Sequence, residues 1–328
     1  MNIHELDSKV SAVYNHIYGL TGDPRTIFDV NTDDKLKEYL TICHPDRFID
    51  DDIMMAKASE LSKTISRLHV LSQNVKKVSG YDVIDTIDTG DSAEILFGVK
   101  DGVNYIIKRG KVPAVSRYLQ AEFNILTDIR KKTLNTVYSG LFREPIQDLS
   151  TKNDRLTIYL YNNHIPLKRI LELKGWLDGR HIAWLYKRIL IGLAITHQCG
   201  YIHGAVTPDH ILVDDKNHGI NLIGQIHSIK ASGKLSIVSS AYKDWYPTGL
   251  KDMDVTPALD ILLSAKTMLS AAEDLPKKLK NYLRGLKLDS ELLLRKGDYV
   301  NAFDIHDEWV ELLKSVYGPP KWVNLELI

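Results

Sequence analysis

The sequence predicts an α+β protein of two lobes, a small β-rich one and a large helical one, behind a separate all-α module at the N-terminus. Three observations carry this. The first 78 residues hold apolar side chains at helical spacing. From Tyr81 to Lys108 the residues alternate and are interrupted by turn signals. After Pro166 the sequence is mostly helical to about Val316. A short β-rich stretch followed by a long helical one implies two lobes with a cleft between them.

Taken in order, Asp33 to Cys43 places Leu36, Tyr39, Leu40 and Cys43 on one helical face, and Asp52 to Gln73 repeats Met55, Ala58, Leu61, Ile65 and Leu68 at the same spacing. Asp50, Asp51 and Asp52 stand at the start of the second helix, where carboxylates favour the helix dipole. The pattern changes at Ser79-Gly80. Thr89-Gly90-Asp91 and Lys100-Asp101-Gly102 then divide residues 81–108 into three antiparallel strands, with Asp101-Gly102 as a tight hairpin turn. Residues 114–130 read as a helix and Leu156 to Tyr161 as a strand. Short strands around Ile211-Leu-Val213 and Asn221-Leu-Ile223 interrupt the later helices. Asp304 to Val316 is amphipathic, with Trp309, Leu312, Leu313 and Val316 on one stripe, and Gly318-Pro-Pro then breaks the helix. The boundaries expected are 1–78 for the helical module, 79–164 and 165–316 for the two lobes, and 317–328 for an apolar tail. That tail either docks on its own domain or adds as a strand to a partner.

Lys plus Arg equals Asp plus Glu at 42 each, a neutral balance that argues against a protein coating nucleic acid. Cys43 and Cys199 lie far apart, which excludes a disulfide framework and a cysteine zinc site of the usual spacing. The N-terminus lacks the apolar core of a signal peptide, and no run of about 18 apolar residues is present. A cytoplasmic protein that does not span a membrane is expected.

The segment Tyr201-Ile-His-Gly-Ala-Val-Thr-Pro-Asp-His-Ile-Leu-Val213, followed by Asn221-Leu-Ile-Gly-Gln-Ile226, resembles the catalytic loop and metal-binding segment of protein kinases. Upstream, Tyr105-Ile-Ile-Lys108 is similar to the strand that carries their lysine, and Ala121-Glu122-Phe-Asn-Ile-Leu126 to the helix whose glutamate pairs with it. Downstream, Thr256-Pro-Ala-Leu-Asp260 resembles the buried helix of the large lobe. The resemblance runs over roughly residues 80–285 and implies a two-lobed protein-kinase-like fold. It implies His203 as a packing residue and Asp260 as a buried brace that accepts loop N–H groups. Phosphoryl transfer needs a carboxylate to take the hydroxyl proton and acidic ligands for the metal. The resemblance puts Ala205 at the first position, His210 at the asparagine metal ligand and Gly224 at the aspartate metal ligand. Of the three glycines over the phosphates only Gly90 remains, with Asp88 and Ala93 at the others. Losing one charge or donor from such a site costs on the order of 3–4 kcal/mol in the barrier. No metal is expected and no cofactor is required. ATP held without metal through Lys108, Glu122 and Gly90 stays open beside a purely structural ion pair of Lys108 with Glu122. Asp209, His203, His210 and Asp214 are the acids and histidines that a metal cluster here would need.

Cys43-His44-Pro45-Asp46-Arg47-Phe48 resembles the H-P-D loop of J-domains, which stimulate the ATPase of DnaK-type chaperones. Helices flank the tripeptide, and Ile27-Phe28-Asp29-Val30 and Ile65-Ser-Arg-Leu-His-Val-Leu-Ser72 are similar to the start and end of that module. The resemblance implies chaperone contacts by His44, Pro45, Asp46 and Arg47, with Lys35 and Lys37 on the preceding helix. Asp33, Asp34 and Glu38 dilute that basic face. A helical hairpin with an ordinary turn is the alternative.

Three functions are therefore expected to compete. One is a pseudokinase adaptor with a J-type co-chaperone module, binding a DnaK-type chaperone and an unidentified protein partner. The second is an atypical ATP-dependent phosphotransferase. The third is a scaffold with neither activity.

Overall fold

The structure is a computed structural model that describes residues 33–73, 76–90, 92–150, 155–162, 164–214, 216–323 and 325. The chain divides into two compact units. The first runs to Val115 and adds Ile146–Asn163, and the second comprises Ser116–Pro145 and His164–Leu327.

In the first unit, helix α1 (Asp33–Ile42) is followed by a 3-10 turn (Pro45–Phe48) and helix α2 (Asp52–Gln73). Ile42, Cys43 and Phe48 are buried with Ala58, Leu61 and Ile65 of α2. Asp51 caps α2 by accepting hydrogen bonds from the N–H groups of Ile53 and Met54, at 3.1 and 3.0 Å. Ser62 Oγ donates to the Cys43 carbonyl at 2.7 Å, tying α2 to the end of α1. The expected resemblances at Ile27 to Val30, and the side chains beyond Ser66 in α2, lie outside the described residues.

Strands β1 (Lys76–Val78), β2 (Tyr81–Thr89), β3 (Ala93–Lys100), β4 (Val103–Gly110), β5 (Pro145–Ser150) and β6 (Arg155–Leu160) form a six-stranded sheet of order β1-β2-β3-β4-β6-β5. β2, β3 and β4 are the three antiparallel strands that the alternation predicts. Asp101 and Gly102 both take positive φ, at 51° and 74°, between the paired Lys100 and Val103. A two-residue turn of that hand matches strand twist, and the Asp-Gly dipeptide admits it at little cost. The apolar face buries Tyr81, Val83, Leu96, Ile107, Leu156 and Ile158, and α2 lies against β2.

In the second unit come helix α3 (Ser116–Thr133), β7 (Ile165–Pro166), α4 (Leu167–Lys174) and α5 (Gly179–Gln198). Short strands β8 (Tyr201–Ile202), β9 (Ile211–Asp214), β10 (Gly219–Leu222) and β11 (Ile229–Lys230) follow, then α6 (Pro257–Ala271), α7 (Lys277–Lys296) and α8 (Ala302–Tyr317). α5 starts at Asp178, whose carboxylate accepts from the N–H groups of Arg180 and His181. Both α5 and α6 are buried along most of their length, as helices inside a helical domain are. On α8 the stripe splits. Trp309 is fully buried, while Leu312, Leu313 and Val316 are half-covered. The Trp309 indole N–H donates to the Ala183 carbonyl at 3.1 Å, and its ring meets Tyr186 edge-on at 5.1 Å. Among the described residues no helix is long and apolar enough to cross a membrane.

Trp309 joins α8 to α5 by area, ring contact and one hydrogen bond. Trp309→Ala is expected to destabilise the second unit by about 3–5 kcal/mol, read as a lower denaturant midpoint of the helical signal.

Candidate functional site

The loop from His203 to His210 connects β8 to β9, and five backbone groups of its first four residues are held by side chains from elsewhere. Asp260, on α6 and fully buried, accepts from His203 N–H at 2.7 Å, Gly204 N–H at 2.8 Å and the His197 imidazole at 2.8 Å. Ser228 Oγ donates to the His203 carbonyl, Tyr246 Oη to that of Gly204 and Thr267 Oγ1 to that of Val206, at 3.2, 3.0 and 2.7 Å. A buried carboxylate is expensive unless each lone pair has a donor, and three donors converge on Asp260. Burial also pushes the Tyr246 phenol up to about 12, so it stays a donor.

His203 is fully buried, and that burial holds it below the ordinary histidine value despite the nearby Asp260. The neutral ring has one donor and one acceptor. Ala205 N–H points at Nδ1 at 3.3 Å, so Nε2 carries the proton and donates to the Ile223 carbonyl at 3.0 Å. The imidazole thereby links the loop to the segment that follows β10.

His210 and Gly224 meet across this link. His210 Nδ1 donates to the Ala205 carbonyl at 2.9 Å, and Ile223 N–H donates to the His210 carbonyl at 3.0 Å. The ring then lies over Gly224. A Cβ at Gly224 would sit 2.6 Å from His210 Cδ2 and 2.7 Å from Cγ, and φ there is +88°. Only glycine accommodates both the ring and that backbone. Ala205 itself is fully buried. The turn Gln225–His227 packs against α3, and the His227 ring lies 5.0 Å from that of His210.

The acids and histidines that a metal cluster here would need, where none is expected, go to separate tasks. Asp209 accepts from Tyr242 Oη at 3.0 Å and lies 3.6 Å from Lys168 Nζ. Asp214 Oδ1 accepts from the N–H groups of Lys216 and Asn217, and its Oδ2 from the Asn217 side chain. His203 and His210 are held as described. Among the described residues no group of three or more histidines, cysteines or acids could hold a metal ion.

Of the other expected residues, Lys108 is half-buried on β4 of the first unit, in register with Ile95 and Thr157. Gly90 is exposed beyond the end of β2, in a conformation open to any residue. Glu122 is 2% exposed on α3 of the second unit. His197, Ser228, Tyr246 and Thr267 were not anticipated. They lie tens of residues apart, and only His197, six residues before His203 at the end of an apolar helix, stands out in the sequence.

In the first unit His44 and Asp46 are exposed on either side of Pro45, which opens the 3-10 turn, with Nδ1 and Oδ2 3.7 Å apart. Arg47 folds back, its guanidinium donating to the Thr41 carbonyl at 3.0 Å. Lys37 is exposed on α1, and the Lys35 side chain lies outside the described residues.

The chain is 23% identical over 274 residues to the serine/threonine-protein kinase ArnS of Sulfolobus acidocaldarius. The alignment covers 76% of this chain and 42% of that protein, so the chain spans less than half the length of the relative it matches. No family model matches the chain. This distant similarity, the β-sheet in one unit and the helices in the other are compatible with a kinase-like fold.

Two outcomes follow. Asp260→Ala strands three buried donors and is expected to cost about 3–5 kcal/mol, measured by urea unfolding. Gly224→Asp is expected to cost more than about 2 kcal/mol, with roughly 1–2 of it retained in the Gly224→Asp, His210→Ala double variant because the positive φ remains. Additive losses in that cycle would deny the packing of the ring on Gly224.

Proposed function

We propose that this chain is a kinase-like protein that binds a partner without catalysing phosphoryl transfer. The observation that carries this reading is the His210 imidazole packed on Gly224. In the resembled pattern those positions supply the two metal ligands, and the ring of one now takes the space that the other's side chain would need. A neighbouring buried alanine, Ala205, stands where a carboxylate would accept the hydroxyl proton. The supports of the loop do not depend on the chemistry, since Asp260, Ser228, Tyr246 and Thr267 hold backbone groups. Such a platform keeps its shape after the reacting groups are gone. The partner would be a protein recognised by this platform, and nucleotide held by Lys108 without a metal is compatible with it.

The similarity to the serine/threonine-protein kinase ArnS favours a second reading, an atypical ATP-dependent phosphotransferase. Thermal unfolding with ATP, alone and with Mg²⁺ or Mn²⁺, separates the two. A ligand at 100 times its Kd stabilises by about 2.7 kcal/mol. The expected outcome is no stabilisation that depends on the metal. A metal-dependent rise in Tm that disappears in Lys108→Ala would establish the enzyme reading instead.

For the N-terminal hairpin we infer a J-type role, supported by the exposed His44 and Asp46 at a proline-fixed turn between two packed helices. The full chain is then expected to raise the ATPase rate of a DnaK-type chaperone, and His44→Gln to abolish the increase. Equal rates for the two proteins would leave the hairpin as a structural turn.

A further inference from the structure

We propose that the outer face of α7 docks this chain on an anionic membrane surface, with Leu288 and Leu292 as the inserted side chains. The inner face of the helix buries Leu279, Leu283, Leu286, Ser290 and Leu294, and α7 packs against α6. The outer face carries Lys277, Asn281, Arg284, Leu288, Leu292 and Arg295, all exposed, at spacings of four, three, four, four and three residues. At about 3.6 residues per turn those six share one stripe along the helix. Leu288 and Leu292 stand within it, 59% and 58% exposed, and Tyr299 just past its end is 65% exposed. A single exposed leucine needs no explanation. Two at i and i+4, on the solvent side of a helix whose other side is already filled, form a ridge that the folding of this unit does not use.

The charge around the ridge selects what covers it. The whole chain balances acids and bases at 42 each. α7 holds seven Lys and Arg against two acids, a net charge of +5 in 20 residues. Arg284 and Arg295 flank the leucines on the stripe itself, and Lys278, Lys280, Lys287 and Lys296 stand to its sides. Asp289 and Glu291 lie off the stripe, and Glu291 is paired with Arg295 at 2.9 Å. Glu273 and Asp274 precede the helix and Asp298 follows it. The occupant is therefore negative and takes up apolar side chains within a basic field. A protein partner would have to cover roughly 800 Å² on each side for a stable complex, and two leucines and a tyrosine supply a small part of that. A membrane sets no such minimum. Leucines dip into the acyl boundary, a tyrosine sits at headgroup level, and each Lys or Arg near an anionic leaflet strengthens attachment about fivefold. The C-cap keeps Tyr299 at the end of the stripe, since Gly297 N–H and Asp298 N–H donate to the Leu294 and Leu293 carbonyls at 3.1 and 2.9 Å.

Docking of this kind crosses no bilayer. α7 packs against α6, which carries Asp260, so the loop that Asp260 braces travels with the docked unit. The platform would then meet its partner at a membrane surface. That last step rests on the partner-binding reading, whereas the docking itself holds whether or not phosphoryl transfer occurs.

The test is flotation of the full chain with vesicles of phosphatidylcholine, alone or with about one-third phosphatidylserine, at about 0.1 M salt. Affinity for the anionic vesicles is expected to exceed that for neutral ones by about tenfold or more. The double variant Leu288→Ser, Leu292→Ser should lose about tenfold, and Arg284→Glu, Lys287→Glu more than about tenfold. Lys131→Glu, Lys132→Glu makes the same change of charge at exposed positions of α3, and should lose far less. Equal binding to the two vesicles, full binding by the leucine variant, or an equal loss in the α3 variant would overturn the docking. So would a wild-type dimer in sedimentation that the leucine variant dissolves, which would assign the ridge to a second copy. Should a variant not fold, amine labelling of the wild type decides. Anionic vesicles should slow labelling of Lys278 and Lys296 but not of Lys131 and Lys132, and uniform labelling would refute the face.

Discussion

The second unit is organised around a carboxylate shut away from solvent. Asp260 is fully buried, and a charge in that position is tolerable only with directed donors on its lone pairs. Two of those donors are consecutive backbone N–H groups, His203 and Gly204, and the third is His197 at the end of α5. The same group that must be neutralised thereby fixes where the loop starts, how it faces α6 and where α5 ends. The neutral His203 ring passes that constraint on to Ile223, and through it to Gly224 and His210.

This arrangement separates support from chemistry. Ser228, Tyr246 and Thr267 bond backbone carbonyls, so they impose the course of the loop without requiring any particular side chain at 205 or 210. An alanine at 205 can be buried there at no electrostatic cost. A histidine at 210 can turn its ring onto Gly224 because Nδ1 finds the Ala205 carbonyl and because Gly224 has no Cβ. The two residues at the resembled metal positions have exchanged volume. The pair is understandable only together, since either one with the usual partner would clash or leave a gap.

Much of the architecture is legible in the residues. The alternation from Tyr81 to Lys108 and the Asp101-Gly102 dipeptide place β2, β3 and β4, because a strand period and a two-residue turn are both local properties. The helix from Asp52 to Gln73 has the limits that its apolar spacing implies, with the capping role falling on Asp51 among three successive aspartates. The stripe on α8 is visible too, but that Trp309 alone is fully covered depends on α5 and on Tyr282. The tail shows the limit of such reading. Two fates for it follow from Trp322 and the apolar residues after it, and of its described residues Trp322 and Val323 lie against His218, which is stacked in turn on Trp184, side chains 104 and 138 positions before Trp322 in the chain.

By itself the sequence determined the periodic elements, the order of the kinase-like segments and the chemical character of each position: alanine at 205, histidine at 210, glycine at 224. These depend on neighbours a few residues away or on residue type alone. Only the tertiary structure decided which side chains converge. His197, Ser228, Tyr246 and Thr267 hold the loop, and His210 rather than a carboxylate occupies the space over Gly224. The physical reason is that burial and hydrogen-bond geometry are properties of chain segments brought together from far apart, and no local pattern records the distance between them.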